Sequence, residues 1–481
     1  MGDKTLKEKT ATGLFWGGIS NTIQQVLSLL FGVFLARILN AEEYGMVGML
    51  TIFSLIANSI QESGFTSALA IKSEVKHEDF NAVFWFSLLM GGILYVLLFF
   101  LAPFIAHFYS LPELVPLARF IFLGFLFSSM GTAQSAYLFR HLMVKQKAQA
   151  QIIGLAVSGT LAVLLALKGF SYWSIAVQGV VYVAVVTFML WVFSPWRPGW
   201  TISFEPIRQM YGFSAKVLVT NLFNHINNNV LTVLLGKLFT PSQVGDYTQA
   251  SKWNTMSSNV IINMVNGVAQ PVLAEAAEDK ERHKRVFRKM LKFTAFLSFP
   301  AMFGLAIIAE EFIVLTITAK WLPSVPLLQV LCIWGAFAPI AYLYTHLIIS
   351  KGKSSIYMWN VIVLGVLQVL LMLSLSSYGI LIMVIGFVTL NVLWLIVWHR
   401  FVQREIDYSF REVLTDICSF ALISSLIMAG VHHFLSGVEN MLFRLILKVV
   451  MGGVLYAFVM LIFQRNLIIE TIRMFFKIKN E

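Results

Sequence analysis

The sequence predicts an all-α polytopic membrane protein with fourteen transmembrane helices, arranged as two parallel six-helix repeats followed by two further helices. Three observations carry this. First, 58% of the 481 residues are hydrophobic and only 12% are charged, against about 45–50% and ~25% in soluble proteins. So few charges cannot cover a water-facing surface, which excludes a soluble enzyme, a disordered chain and a secreted disulfide scaffold. Second, apolar runs of about 20 residues or more, the length that crosses a ~30 Å hydrocarbon core, recur along the whole chain. Third, the short connections between the runs are alternately rich and poor in Lys and Arg.

Taken in order, the predicted spans are 14–39, 44–71, 80–108, 114–140, 148–168, 172–194, 212–239, 244–270, 290–318, 323–350, 355–376, 379–399, 412–434 and 441–463. The first run is too long for the apolar core of a cleaved signal peptide, so it reads as a retained helix. Trp173, Trp196, Trp200 and Trp321 fall near span ends, as aromatic residues do at the headgroup level. A membrane β-barrel is excluded, because its strands alternate apolar and polar residues with period two.

The basic residues set the orientation. The N-terminus holds Lys4, Lys7 and Lys9. Every second connection then holds Lys72 and Lys76; Arg140, Lys145 and Lys147; Arg197 and Arg208; Lys280 to Lys289; Lys351 and Lys353; Arg400, Arg404 and Arg411. The tail adds Arg465, Arg473, Lys477 and Lys479. The other connections hold only Arg37, Lys168, Lys237, Lys320 and Arg444. Basic residues stay on the cytoplasmic side, so both termini are expected there. The net charge of +11 follows from these flanks, and no nucleic-acid partner is implied.

The chain aligns with itself at a shift of about 200 residues. Leu35-Ala36-Arg37-Ile38-Leu39 meets Leu235-Gly236-Lys237-Leu238-Phe239, Gly45 meets Gly245, and Asn21 meets Asn221. Gln24 and Gln25 meet Asn224 and His225. Six helices later the orientation is unchanged, so the repeats are parallel, with an axis along the membrane normal. The expected domains are 1–200 and 201–405, one six-helix bundle each, and 406–481, the additional pair of helices with a cytoplasmic tail.

Polar residues inside the spans mark the candidate substrate path. Asn21, Gln24 and Gln25 share one face of the first helix; Asn221, Asn224 and His225 repeat that spacing on the seventh. The eighth carries Lys252 and several Asn. Interhelical hydrogen bonding is the plainer explanation for any one amide; the set repeated in both halves favours a hydrated cavity. Arg119 and Lys252, about two turns inside the outer edge, are the expected cationic contacts. Lys216 and Lys292, nearer the cytoplasmic edge, are secondary, and Lys448 is expected to snorkel. A basic excess implies an anionic substrate. There is no Walker A, HExxH or CxxC pattern, and no cofactor or metal site is expected. The longest loop, about 271–289, is too short for an enzyme domain, so the chain reads as a non-enzyme.

Leu35-Ala36-Arg37-Ile38-Leu39 followed by Glu43-Tyr44-Gly45 resembles the signature after the first helix of polysaccharide flippases. Glu62-Ser63-Gly64-Phe65-Thr66-Ser67-Ala68-Leu69 is similar to the end of their second helix, and Pro271-Val272-Leu273 to the end of their eighth. The chain thus resembles the Wzx-type lipid-linked oligosaccharide exporters, in the polysaccharide-transporter branch of the MOP superfamily. The resemblance implies movement of undecaprenyl-pyrophosphate-linked sugar units across the bacterial inner membrane by alternating access, for lipopolysaccharide, capsule or exopolysaccharide synthesis. It also implies a groove for the lipid tail at 412–434 and 441–463. Implied partners are the lipid-linked oligosaccharide, the bilayer, and the polymerase and glycosyltransferases of the same pathway. The alternative is a small-molecule (drug) exporter of the same superfamily, disfavoured by its usual twelve-helix plan.

Overall fold

The computed structural model describes residues 6–62, 65–72, 74–276 and 279–463, and every regular element among them is helical. Lys4, Ser63, Gly64 and the tail residues Arg465, Arg473, Lys477 and Lys479 lie outside the described residues. By its contacts the chain divides into two compact units, 1–245 and 246–481.

The first unit holds α1 (Leu6–Ile38), α2 (Ala41–Glu62), α3 (Phe65–Ile71), α4 (His77–Tyr109), α5 (Leu114–Phe122), α6 (Gly124–Ser129), α7 (Thr132–Arg140), α8 (Val144–Leu167), α9 (Trp173–Phe193) and α10 (Glu205–Leu238). Helix α11 (Pro241–Glu275) runs from its end into the second unit. The second unit continues with α12 (Lys280–Ile307), α13 (Ala309–Ile317), α14 (Ser324–Ser350), α15 (Ser354–Leu375), α16 (Ile380–Ile406), α17 (Phe410–Phe434) and α18 (Met441–Phe463).

All fourteen predicted spans coincide with helices, but not all fourteen are single helices apolar enough to count as spans by length and composition. Among the described residues, eleven helices are long and apolar enough to cross a membrane, or up to twelve if the bent pair Leu114–Ser129 and Thr132–Arg140, angled by 45°, is one span. The predicted span 114–140 is therefore broken. The predicted span 290–318 is interrupted too, into α12 with α13, while in 44–71 helices α2 and α3 flank Ser63 and Gly64, which lie outside the described residues. The other two predicted spans are α10 and α11. At 34 and 35 residues they extend about 50 Å at 1.5 Å per residue, so length is not what they lack. Their amides and charges lower the hydropathy, and those are the residues that suggested a cavity.

In the first unit, α8 packs along α9 and α1, and α4 along α5, α6, α7 and α10. The connection 194–204 is pinned to the first turns of α4. The Asn81 amide donates to the Thr201 carbonyl and accepts from the Gly199 N–H at 2.9 Å, Trp85 Nε1 donates to the Gly199 carbonyl at 2.9 Å, and Trp196 Nε1 donates to His77 Nδ1 at 3.1 Å. Trp196 also joins Phe80, Phe84, Ile207 and Met210 in one buried cluster.

In the second unit, α12 packs along α14 and α17, and α16 along α14 and α15. Asp279 caps α12, accepting from the Glu281 and Arg282 N–H groups at 3.0 Å. Those backbone hydrogen bonds hold its carboxyl below the ordinary range. Ser409 and Glu412 form a reciprocal capping box at the start of α17. Phe104, Phe188, Leu426 and Phe434 stand exposed on the helix surfaces, which suits hydrocarbon rather than water as the surrounding solvent.

Candidate functional site

The amides of the first unit sit on α1 and α10. Asn21 and Gln25 are exposed and Gln24 is half-buried; Gln24 Nε2 donates to Gln151 Oε1 on α8 at 3.4 Å. On α10, Asn221 is exposed, while Asn224 and His225 are half-buried. Asn229 Nδ2 donates to the His225 carbonyl at 2.9 Å. Exposed amides in the middle of long helices lack the hydrogen bonds that hydrocarbon demands, so they fit only where water or a polar ligand reaches them. The side chain of Lys216 lies outside the described residues.

Arg119 does not stand alone. Its guanidinium lies 4.0 Å from the centroid of the Phe99 ring, and its Nε donates to the Phe99 carbonyl at 3.3 Å. An aromatic face and a backbone oxygen take the place of a carboxylate.

In the second unit, Lys252 is half-buried on α11 and pairs with no carboxylate among the described residues. Beside it on the same helix, Asp246, Gln249 and Asn254 are buried, and each has a polar atom without a hydrogen-bond partner. Trp253 meets Phe312 of α13 edge-on at 5.0 Å. Helix α11 thus carries a run of buried polar groups with atoms that no described residue satisfies.

Lys292 is placed differently from the others. It forms an ion pair with Asp416 of α17 at 3.1 Å, and Asp416 also accepts from Arg288 Nε and, at 2.7 Å, from the Tyr408 hydroxyl. Its ammonium is committed to a structural cluster that binds α17 to α12. Lys448 is corrected outright. Its side chain is only 2% exposed, so it does not snorkel; it pairs with Glu311 of α13 at 2.5 Å and donates to the Ile307 carbonyl at 3.0 Å. Arg444 reaches the same carboxylate at 2.6 Å. The spacing of Arg444 and Lys448, one turn apart, was visible in the sequence; their shared partner was not.

The Gly45 and Gly245 pairing has a geometric counterpart. Within the first unit, the first turns of α2 and α11 meet so closely that a Cβ on Gly45 would overlap the Pro241 carbonyl oxygen, and one on Gly245 would overlap the Ala41 carbonyl oxygen. Each glycine faces the carbonyl four residues before the other. The contact is reciprocal at the 200-residue shift.

Among the described residues no group of three or more His, Cys, Asp or Glu could hold a metal ion, and Cys332 and Cys418 are free.

A family model described as polysaccharide biosynthesis protein matches residues 34–326. The succinoglycan biosynthesis transport protein ExoT of Rhizobium meliloti is 26% identical over 96% of this chain and 95% of its own length. The lipopolysaccharide biosynthesis protein WzxC of Escherichia coli is 24% identical over 73% of this chain and 72% of its own. Among solved structures, the lipid II flippase MurJ in an inward closed conformation superposes with a TM-score of 0.79 at 16% identity, covering 95% of this chain and all of its own. A multidrug resistance MATE transporter of the MOP superfamily, inward-facing, gives 0.62 at 16% identity over 80% of this chain and 94% of its own. The two structures share the fold of this multi-pass chain.

Proposed function

The chain belongs to the polysaccharide biosynthesis protein family, and from that membership we propose that it flips lipid-linked oligosaccharide units across the bacterial inner membrane by alternating access. The observation that carries this beyond the family is the pair of amide-rich helices, α10 and α11, in a chain otherwise as apolar as lipid. A diphosphate bearing sugars cannot enter hydrocarbon with its charge and hydroxyls unsatisfied. Exposed amides and an unpaired lysine offer replacements for the water it leaves, while an apolar tail stays in the bilayer. Outward movement of an anion also gains about 2.3 kcal/mol per charge per 100 mV of inside-negative potential.

In this reading α10 and α11 and the bent helices 114–140 also span the membrane, giving fourteen spans as 6+6+2 within 1–200, 201–405 and 406–481. The reciprocal Gly45 and Gly245 contact supports the repeat. Residues 14–194 are expected to superpose on 212–399 by a rotation of about 180° about the membrane normal. Both termini are cytoplasmic. Single cysteines replacing Lys147, Lys284 and Lys353 should label only from the cytoplasm, and those replacing Lys168 and Lys320 only from outside; external labelling at position 284 would reverse the orientation.

Arg119, Lys216, Lys252, Asn21, Gln24, Gln25, Asn221, Asn224 and His225 are the proposed cavity residues. Lys292 is retained only as a secondary contact, since Asp416 already holds it. Of these, Lys252 makes the sharpest test. Lys252→Ala should reduce polymer export at matched protein level, and Lys252→Glu should reduce it further, because it repels the diphosphate as well as removing an attraction. Full complementation by Lys252→Glu would end the electropositive-cavity mechanism. The function itself is tested in a deletion strain, where lipid-linked oligosaccharide should accumulate facing the cytoplasm. Polymerase and glycosyltransferases of the same pathway are the expected functional partners. MATE-like drug export is disfavoured: relatives named for lipopolysaccharide and succinoglycan biosynthesis match 73% and 96% of the chain, while the MATE likeness is one of fold.

A further inference from the structure

Between Leu114–Ser129 and Thr132–Arg140 the chain turns by 45°. At the turn the backbone leaves the α-helical pattern. The Gly131 N–H donates to the Ser128 carbonyl at 3.0 Å, three residues back, where an α-helix would use Phe127, four back. A turn inside a membrane helix frees carbonyl groups that hydrocarbon cannot satisfy. Here α9 satisfies them. The Thr187 hydroxyl donates to the Phe127 carbonyl at 3.0 Å, and Trp191 Nε1 donates to the Met130 carbonyl at 2.7 Å. The two donors are four residues apart, on one face of α9. Trp191 is itself held by Phe84 of α4, edge-on at 6.0 Å, and by the Arg197 guanidinium, 5.8 Å from its ring centroid. Gly131 gives Thr187 its approach, since a Cβ there would stand 3.0 Å from the Thr187 hydroxyl oxygen.

The Phe127 carbonyl thus has two available donors: the Thr187 hydroxyl in the bent form and the Gly131 N–H in a straight helix. Either form satisfies it, which makes the segment a two-state element rather than a fixed kink. The bent form also carries a cost. Gln134, in the first turn of α7, and Ser87 of α4 are fully buried. Both polar atoms of the Gln134 amide and the Ser87 hydroxyl oxygen find no hydrogen-bond partner among the described residues. A buried polar group without a partner disfavours the state that holds it, so the grip of α9 works against an opposing cost.

We propose that the break between α6 and α7 is a hinge of the transport cycle, and that Thr187 and Trp191 are the positioning residues that hold it bent. Their release returns the Gly131 N–H to the Phe127 carbonyl and straightens 114–140. The link to transport rests on the flippase reading above; the hinge itself is measured without it.

Spin labels on Glu113→Cys and Phe139→Cys, both exposed positions, report the bend in the full-length chain in phosphatidylcholine nanodiscs, with Cys332 and Cys418 replaced by alanine. A straight helix over that stretch is about 3 Å longer end to end than one turned by 45°. The parent should show both distances. Thr187→Val and Trp191→Phe, each of which removes one donor, should raise the ratio of long to short about two- to tenfold, the usual effect of one hydrogen bond. Gln134→Leu removes the unpaired amide and should shift the ratio the other way. A purely structural role would not move the ratio in opposite directions. All three variants should lower polymer export at matched protein level, because the cycle needs both forms. A single distance, unchanged in every variant, would overturn the hinge. So would full export by variants whose distances have shifted, since the bend would then have no part in transport. If the α9 variants fail to fold, Gln134→Leu still decides. A deletion strain that exports polymer normally would instead remove the flippase reading and leave the distance measurement standing.

Discussion

Replacing Glu311 by alanine is expected to destabilise the chain by about 3–5 kcal/mol, the typical cost of leaving a buried charge without its partner. Glu311 is 1% exposed and receives Lys448 at 2.5 Å and Arg444 at 2.6 Å. Without it, Lys448 remains as a cation buried between α13 and α18 with only the Ile307 carbonyl to accept its proton. Unfolding midpoints of the purified protein measure the effect. Glu311→Leu combined with Lys448→Leu should recover most of the loss, because apolar residues of similar volume commonly replace a buried ion pair at little cost. Equal destabilisation by the double variant would mean that shape, not uncompensated charge, sets the stability there.

The second large effect is expected at the glycine contact. Gly45→Val and Gly245→Val should each abolish polymer export while leaving the protein in the membrane. A side chain at either position meets backbone, the Pro241 or Ala41 carbonyl, and backbone cannot swing aside as the end of a flexible side chain can. The first turns of α2 and α11 must separate instead. On the proposed 6+6+2 reading α2 and α11 belong to different repeats, and alternating access needs repeats that part and close in turn, so a wedge at this contact is expected to forbid one of the two states. Gly92→Ala, where nothing lies within 4 Å of the added Cβ, is the control for a generic glycine effect. Normal export by both valine variants would show that the helices separate freely and that the contact has no role in transport.

The placement of the helices was largely legible beforehand. Each of the fourteen predicted spans contains a helix, because a run of apolar residues must bury its backbone polar groups in helical hydrogen bonds wherever lipid surrounds it. Interruptions were less legible. The break between α6 and α7 falls at Ser128-Ser129-Met130-Gly131-Thr132, small and polar residues that a hydropathy window averages with the apolar runs on either side. For the site, Lys252 pairs with no carboxylate among the described residues, whereas Arg119 has Phe99 and Lys292 has Asp416. Searching one turn away on the same helix could not find those partners, since both come from other helices.

The sequence alone determined that the chain is an apolar, helical, multi-pass protein with an internal shift of about 200 residues, and it pointed to the family. These follow from local quantities: hydropathy summed along a run, charge counted in short connections, and spacing between similar residues. The tertiary structure decided which charges meet. Glu311 and Lys448 are 137 residues apart, and Arg288 and Asp416 are 128 apart; no local rule links them. It also decided that Gly45 and Gly245 touch, and that Thr187 and Trp191 reach the carbonyls at the break between α6 and α7. Hydropathy says only that a residue leaves water, whereas a buried charge or a missing side chain acquires its meaning from the atoms of another helix packed against it.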